Sequence, residues 1–313
     1  MRRFPILCGP TAGGKSALAV ALAQSLRARG QYAEIVTADA FQIYRGMDIG
    51  TAKPTVAERQ GVPHHLMDVV EPTERFSVNQ WLERAEGLIA DLRGRGVLPI
   101  VVGGTHLYVK ALLEGLFEGP PPDPRLRAEL TAMDPHARRA ELERVDPAAA
   151  LRIHFNDERR TVRALEIFRQ TGAPISVLQS QWQPAGGGRP DARLVILDWP
   201  ADAINRRINA RVKGMMDAGL LDEVRGLHAA GRLGLQAVEA LGYKQLVAHF
   251  ANPGACTLEE CVERIKIDTR HLAKSQRTWL RRLGTTDGAV VVTPGDRSVE
   301  ALVAELGPAI GLV

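Results

Sequence analysis

The strongest constraint on this 313-residue chain lies at its start. Ile6-Leu7-Cys8 is a short apolar run, Gly9-Pro10-Thr11-Ala12-Gly13-Gly14-Lys15-Ser16 follows at once, and Ala17, Leu18, Ala21, Leu22 and Leu26 then recur at helical spacing. The octapeptide fits G-x4-G-K-[ST], and a strand before it and a helix after it are the setting in which that pattern cradles phosphate. Glycines let the backbone turn tightly and aim successive N–H groups at phosphate oxygens, and the helix N-terminus adds its positive end. Lys15 contributes a full charge, and the Ser16 hydroxyl is the expected ligand of Mg²⁺. At average residue frequencies the four fixed positions coincide by chance in such a chain on the order of once in a hundred. A phosphate ligand and a β-α unit follow. The reaction does not, because none of these contacts reads a base or a sugar.

Further along, short Val/Ile-rich runs alternate with helical patterns, which points to a buried parallel sheet. Strands are expected at Ile6-Leu7-Cys8, Glu34-Ile35-Val36-Thr37, Pro99-Ile100-Val101-Val102, Arg193-Leu194-Val195-Ile196-Leu197 and Ala289-Val290-Val291-Val292. Val78, Trp81, Leu82, Ala85, Leu88, Ile89 and Leu92 form one apolar stripe of a helix that Gly94 and Gly96 stop. Between about 118 and 192 only helical patterns occur, for example Asp157 to Thr171. Gly119-Pro120-Pro121-Pro122-Asp123-Pro124 opens this interval and Gln183-Pro184-Ala185-Gly186-Gly187-Gly188-Arg189-Pro190 closes it, both linker-like. The expected organisation is an α/β core of residues 1–117 and 193–313 with a P-loop NTPase-like parallel sheet, interrupted by an all-helical insertion at 118–192. One continuous domain with two ordinary loops is the alternative.

Composition bounds the partners. A formal net charge of +4 hints at a polyanion without requiring one. The charge is concentrated: from Arg264 to Arg282 there are seven Lys/Arg against one acid, a net +6, and Arg270, Lys274, Arg277 and Arg281 share one helix face. That face is either simply solvated or set against nucleic-acid phosphates. Cys8, Cys256 and Cys261 have neither disulfide nor zinc spacing and read as buried free thiols. No leader-like apolar segment and no run of about 20 apolar residues occurs, so a cytoplasmic protein with no membrane partner is expected.

Six blocks carry a resemblance. "DAFQIYRGMDIGTAKPT" (Asp39 to Thr55), "PHHLMD" (Pro63 to Asp68), "VVGGTHLYVKALLEGL" (Val101 to Leu116), "NDERRTVRALEIF" (Asn156 to Phe168), "ALGYKQL" (Ala240 to Leu246) and "TRHLAKSQRTWLRR" (Thr269 to Arg282) resemble the tRNA dimethylallyltransferases. With the phosphate loop, the matches run in order from Gly9 to Arg282. The resemblance implies that the exocyclic amine of adenosine 37, beside the anticodon, attacks C1 of dimethylallyl diphosphate and that diphosphate leaves. The loop then holds a leaving group, and its amides, Lys15 and Mg²⁺ stabilise charge that develops as the bond breaks.

On the residues alone, Asp39 serves equally as a base or as a magnesium ligand; the resemblance selects the base, which an aromatic amine needs because its lone pair is shared with the ring. Thr105 is a helix N-cap or, by resemblance, a wall of the base-binding channel. Arg211 matches the family's diphosphate-binding arginine, and Arg207, one turn away, is the weaker candidate. Contacts to tRNA are implied at Asp39, Ala40, Phe41 and Gln42, at Thr105, at Arg127, at Arg159, Arg160, Thr161, Val162 and Arg163, and at Glu239, Ala240, Leu241, Gly242, Tyr243 and Lys244. His64 and His65 lack metal spacing and are expected to be structural. Some positions depart from the family pattern: Ala40 stands for a common Ser, Phe41 for a smaller or flexible residue, Gly13 for Ser/Thr, and Ser275 for a basic residue. A monomer is expected, since no dimer seam is evident. The rivals are a small-molecule kinase, a prenyltransferase acting on free adenine nucleotides, and a non-catalytic RNA-binding module.

Overall fold

The computed structural model describes residues 3–116, 119–181, 189–252 and 254–311. In chain order its first half runs β1 (Phe4–Cys8), α1 (Lys15–Arg27), β2 (Ala33–Ala38), α2 (Val56–Arg59), β3 (His64–His65), α3 (Val78–Gly94), β4 (Leu98–Gly103) and α4 (His106–Glu114). Five helices follow: α5 (Pro124–Ala132), α6 (Pro135–Val145), α7 (Pro147–Arg152), α8 (Glu158–Thr171) and α9 (Ile175–Gln181). The remainder is β5 (Ala192–Leu197), α10 (Ala201–Asp217), α11 (Leu220–Ala229), α12 (Tyr243–Ala251), α13 (Leu258–Leu283), β6 (Val290–Val292) and α14 (Val299–Ala309). The chain divides into two compact units, one of residues 1–113 with 189–313 and one of residues 114–188.

The larger unit is built on one parallel sheet in the order β3-β2-β4-β1-β5-β6. All five expected strands are present. The sixth, β3, is a two-residue edge pairing His64 and His65 with Ile35 and Val36, too short and too polar to announce itself by periodicity. His65 Nε2 lies 2.6 Å from Glu34 Oε2, and His64 Nδ1 donates to the Val62 carbonyl at 2.8 Å, so both histidines hold this edge. Every residue of β1 and β4 is buried, as expected of strands covered on both faces. Helix α3 begins at a Ser77/Gln80 capping box and buries Trp81, Ala85, Ile89 and Leu92, while Gly96, at φ 74°, ends it. Trp81 donates to the Thr37 carbonyl at 2.9 Å and stacks on Tyr108, so the helix is keyed to the sheet by a polar bond as well as by area. Cys8 and Cys261 are buried and free; Cys256 is only half-buried, on the short segment before α13.

The smaller unit contains helices only, among its described residues, around Leu130, Leu142, Ala149 and Leu165. Three of its helices start on an Asp-Pro pair, at Asp123, Asp134 and Asp146, where the carboxylate caps the first free amides and proline pre-sets the first turn. Gln183 to Gly188 of the closing linker lie outside the described residues. Arg189 and Asp191, on the N-terminal side of β5, pair with Glu86 and Arg93 of α3 and so belong to the larger unit.

Among the described residues of the smaller unit two carboxylates are buried, Asp146, which caps α7, and Glu166. Glu166 accepts from Arg127 Nε and Nη2 at 2.9 and 3.0 Å, from Arg163 Nη1 at 2.6 Å and from the Asp123 amide at 2.7 Å, and its side chain has 0% exposure. These bonds favour its ionised form and, against the opposing and larger effect of burial, leave its carboxyl below the usual range. Removing one side of such a buried pair strands the other, so Glu166→Ala should destabilise this unit by about 3 kcal/mol. Native-state hydrogen exchange should show the loss in α5 and α8, with protection of the sheet unchanged.

Candidate active site

Strand register assembles the site. Cys8 and Ala38, the last residues of β1 and β2, both pair with Gly103, the last residue of β4, so three strands stop in one row. Gly9, Asp39 and Gly104 therefore leave the sheet side by side. Asp39 is not on the strand next to the phosphate loop, because β4 lies between them. At the end of β4 the neighbouring groups approach too closely for side chains. A Cβ at Gly103 would fall 2.1 Å from the Ala38 carbonyl oxygen, and one at Gly104 would fall 2.7 Å from Gln276 Nε2 and 3.5 Å from Lys15 Nζ.

The loop is held largely through its carbonyls, and one of its own amides is used as well, Gly13 N donating to Pro10 O at 3.1 Å. Trp199 Nε1 donates to Gly13 O at 3.0 Å, Arg207 Nε to Ala12 O at 2.8 Å and Lys15 Nζ to Pro10 O at 2.8 Å. Arg207 also stacks over the Trp199 ring. Ala12 and Gly14 adopt left-handed φ of 59° and 84°, the alternation that makes an anion-binding concavity. Gly13 is required here despite the family's usual Ser or Thr, since a Cβ would sit 2.8 Å from Pro10 O. Gln276 of α13, buried, accepts from the Thr11 amide at 2.8 Å and donates to Gly104 O at 3.0 Å, tying the loop to the end of β4. Sequence reasoning missed Trp199 and Gln276, whose roles depend on helices and strands far away in the chain.

Opposite the loop, Asp39 Oδ1 accepts from the amides of Phe41 and Gln42 at 2.9 and 3.2 Å, which fixes the carboxylate plane. Thr105 stands at the start of α4, and its Oγ1 accepts from the Ala40 amide at 3.1 Å, joining the ends of β2 and β4. The Ala40 side chain offers no hydroxyl, but its amide keeps this bond. Gln42 uses its side-chain amide on the carbonyls of Thr51 and Ala52. The loop before these residues is pinned by Glu223 of α11, which accepts from the amides of Asp48, Ile49 and Gly50 and from the Tyr243 hydroxyl at 2.5 Å. Beneath the same loop the buried Lys53 ammonium bridges Asp48 and Asp68.

Three cavities meet at these residues. One of about 840 Å³ is lined by Ala12 to Ser16, Gln24, Ala52, Glu58, Arg207 and Arg211. A second, of about 480 Å³, is lined by Lys15, Ser16, Asp39, Phe41, Thr105, Arg211, Gln276 and Trp279. A small third one of about 110 Å³ has apolar walls of Phe41, Ile208, Val212, Met215, Leu220 and Leu272, with Asp39 and Arg211 at its edge. Arg211 lines all three; Lys15 and Ser16 line the first two. Burial, reinforced by the nearby Arg211 charge and opposed by Asp39, pulls the Lys15 ammonium down to about 8. Arg211 is likewise held below its ordinary range by burial. Two unneutralised cations beside a phosphate-shaped loop are poised to gain from an anion.

The residues implied in RNA contact divide by exposure. In the larger unit Ala40, Phe41, Gln42 and Thr105 are half-buried, Glu239 and Lys244 are exposed and paired with each other, and Ala240, Gly242 and Tyr243 are buried. In the smaller unit Arg159 and Arg160 are exposed, Arg127 and Arg163 are half-buried on Glu166, and Thr161 and Val162 are buried in α8. On the basic face of α13, Lys274 and Arg281 are exposed, whereas Arg270 is half-buried and donates to Asn209 Oδ1 at 2.7 Å. No helix among the described residues is long and apolar enough to cross a membrane.

Comparison with known proteins agrees with this geometry. A family model described as IPP transferase matches residues 42–283. A tRNA dimethylallyltransferase of Halorhodospira halophila is 46% identical over 303 residues, covering 94% of each chain. Among solved structures, a full-length tRNA isopentenylpyrophosphate transferase from Bacillus halodurans superposes with a TM-score of 0.69 at 35% identity, over 99% of this chain and 97% of that one. A eukaryotic dimethylallyltransferase acting on tRNA gives a TM-score of 0.81 at 27% identity, over 95% and 75% of the two chains.

The lowered Lys15 value makes a signed prediction. In the folded protein this ammonium loses its proton near pH 8, below the 10.5 of an unperturbed lysine, so between those values the unfolded chain holds more protons and stability rises with pH through this residue. Anion binding runs the other way, since it needs the charge. Affinity for inorganic diphosphate at fixed free Mg²⁺, measured by calorimetry, should be roughly tenfold weaker at pH 9 than at pH 7. Ionisation of diphosphate itself would strengthen binding over that range, so the expected sign belongs to the protein, and Lys15→Met should abolish the decline.

Proposed function

The chain belongs to the IPP transferase family, and on that premise we propose how its residues carry out the prenyl transfer to tRNA that defines tRNA dimethylallyltransferases. The donor in this reading is dimethylallyl diphosphate, with its phosphates on the Gly9–Ser16 loop between Lys15 and Arg211. Since those side chains form a wall common to the two large cavities, the two substrates approach from opposite sides: diphosphate through the 840 Å³ cavity and the base of adenosine 37 through the 480 Å³ one. The five-carbon tail lies toward the small apolar cavity beside Asp39.

The exocyclic N6 of adenine attacks C1, the C1–O bond breaks with its electron pair going to diphosphate, and Asp39 accepts the N6 proton as the C–N bond forms. Asp39 Oδ1 is already occupied by two amides, so Oδ2 is the oxygen assigned to that proton. Loop amides, Lys15 and Arg211 meet the charge growing on the leaving group, where each well-placed donor is worth about 10² to 10³ in rate. Extruding the base from its stack is part of the cost, as for other enzymes that act on a nucleobase.

Magnesium suits this donor set. Among the described residues no three His, Cys, Asp or Glu side chains converge as a metal cage. Mg²⁺ takes most of its ligands from water and substrate phosphates, so one hydroxyl, Ser16, beside a bound diphosphate is a fitting anchor. When bound, the ion supplies further positive charge to the leaving oxygens. RNA contact is assigned to the exposed Arg159 and Arg160 and the half-buried Arg127 and Arg163 of the smaller unit, and to Lys244, Lys274 and Arg281 of the larger. A cytoplasmic monomer completes the reading.

The observation that carries this function is the single row of strand ends that sets a carboxylate across a glycine gap from a phosphate loop. A kinase or a free-nucleotide prenyltransferase gives no role to the basic arginines, and an RNA-binding module gives none to Asp39. Labelled dimethylallyl diphosphate with Mg²⁺ and no ATP should transfer label to unmodified tRNA and not to AMP. Asp39→Asn should lower single-turnover transfer by at least about 10²-fold while tRNA affinity stays near normal. Intact single-turnover chemistry with lost RNA binding would remove Asp39 from the base role, and nucleoside triphosphate consumption without transfer would overturn the whole assignment.

A further inference from the structure

At the mouth of the 480 Å³ cavity the rings of His106 and Trp279 stack, their centroids 4.8 Å apart and their planes 28° from parallel. They come from different elements, the first residue of α4 and the C-terminal half of α13, yet both are placed by residues of the site. His106 follows Thr105, whose hydroxyl is fixed on the Ala40 amide, and Trp279 lies one turn after Gln276, which is fixed on Gly104 and Thr11. His106 is exposed, and the neighbouring Leu107 and Leu272 are 51% and 42% exposed on the same rim.

Trp279 is half-buried and packs against the core, while the ring stacked on it, His106, is exposed at the rim of the cavity. An RNA base that leaves its stack to enter the cavity deprives the bases on either side of a stacking partner. Restoring one such contact is worth about 1–3 kcal/mol, comparable with the few kcal/mol that extrusion costs.

We propose that the His106–Trp279 pair is a stacking platform for a nucleobase directly adjacent in sequence to the adenosine being modified. The platform replaces the stacking which that neighbour loses. It rests on the reading that the 480 Å³ cavity receives an RNA base. Stacking needs a flat ring and no particular hydrogen-bonding edge, so the site tolerates any base and favours purines by area.

The test uses the full chain and an anticodon stem-loop RNA carrying 2-aminopurine at the position before or after the target adenosine. Binding to the unchanged enzyme should quench one of the two probes, and His106→Ala should abolish that quench and lower kcat/KM for RNA by roughly 5- to 100-fold. His106→Phe, which keeps a ring and loses the ring nitrogens, should restore both to within about threefold. Trp279→Phe, kept aromatic to preserve packing, should retain the quench. Unchanged quenching and kcat/KM in His106→Ala would overturn the platform, as would a His106→Phe variant no better than alanine, which would indicate a hydrogen bond in place of stacking. Failure of the unchanged enzyme to prenylate the RNA would instead strike the reading beneath it, and the platform would fall with it.

Discussion

Everything at the catalytic end of this molecule depends on three parallel strands stopping at the same level. Because Cys8, Gly103 and Ala38 are register partners, the chain leaves the sheet in three neighbouring places and brings a phosphate loop, a glycine pair and a carboxylate to one line. The spacing of adjacent strands, about 4.8 Å, then sets the reach: the carboxylate stands about two strands, or 10 Å, from the loop's strand. That interval accommodates a breaking C–O bond with an amine on its far side. A side chain on Gly104 would crowd Gln276 and Lys15.

Around this row, each segment that must keep its shape is held by a polar side chain from somewhere else in the chain. Gln276 joins the loop to β4, Trp199 and Arg207 hold the loop carbonyls, and Glu223 gathers three consecutive amides of the segment leading to Thr51. The same economy appears in the smaller unit, where one carboxylate, Glu166, orients two guanidiniums. A glutamate there neutralises part of their charge yet leaves donors on both arginines. Such fixed donors suit phosphate recognition better than free lysines would, because less rotamer entropy is lost on binding.

Much of the fold was legible in the chain. The apolar runs that became β1, β2, β4 and β5 are short and bounded by glycine or polar residues, and they are largely buried, as their patterning requires. The phosphate loop was legible because a tight turn with inward amides demands glycines at set positions. β3 was not, since two histidines form a strand only when Ile35 and Val36 offer a neighbouring edge. Tyr243 lies in a block that suggests RNA contact, yet its ring packs against Gly50 and its hydroxyl is spent on Glu223. A motif records that a residue matters and is silent on whether its side chain faces inward or outward.

What the sequence by itself determined is therefore local: which segments are strands or helices, and where glycines carry the chain through a tight turn into the first helix. Tertiary structure alone decided the order of the strands, with β4 placed between the loop and Asp39, and the pairing of His106 with Trp279, 173 positions away in the chain. The physical reason is that propensity and turn chemistry act over a few residues. Strand order and ring stacking are settled by packing between segments whose separation along the chain leaves no trace in either one's pattern.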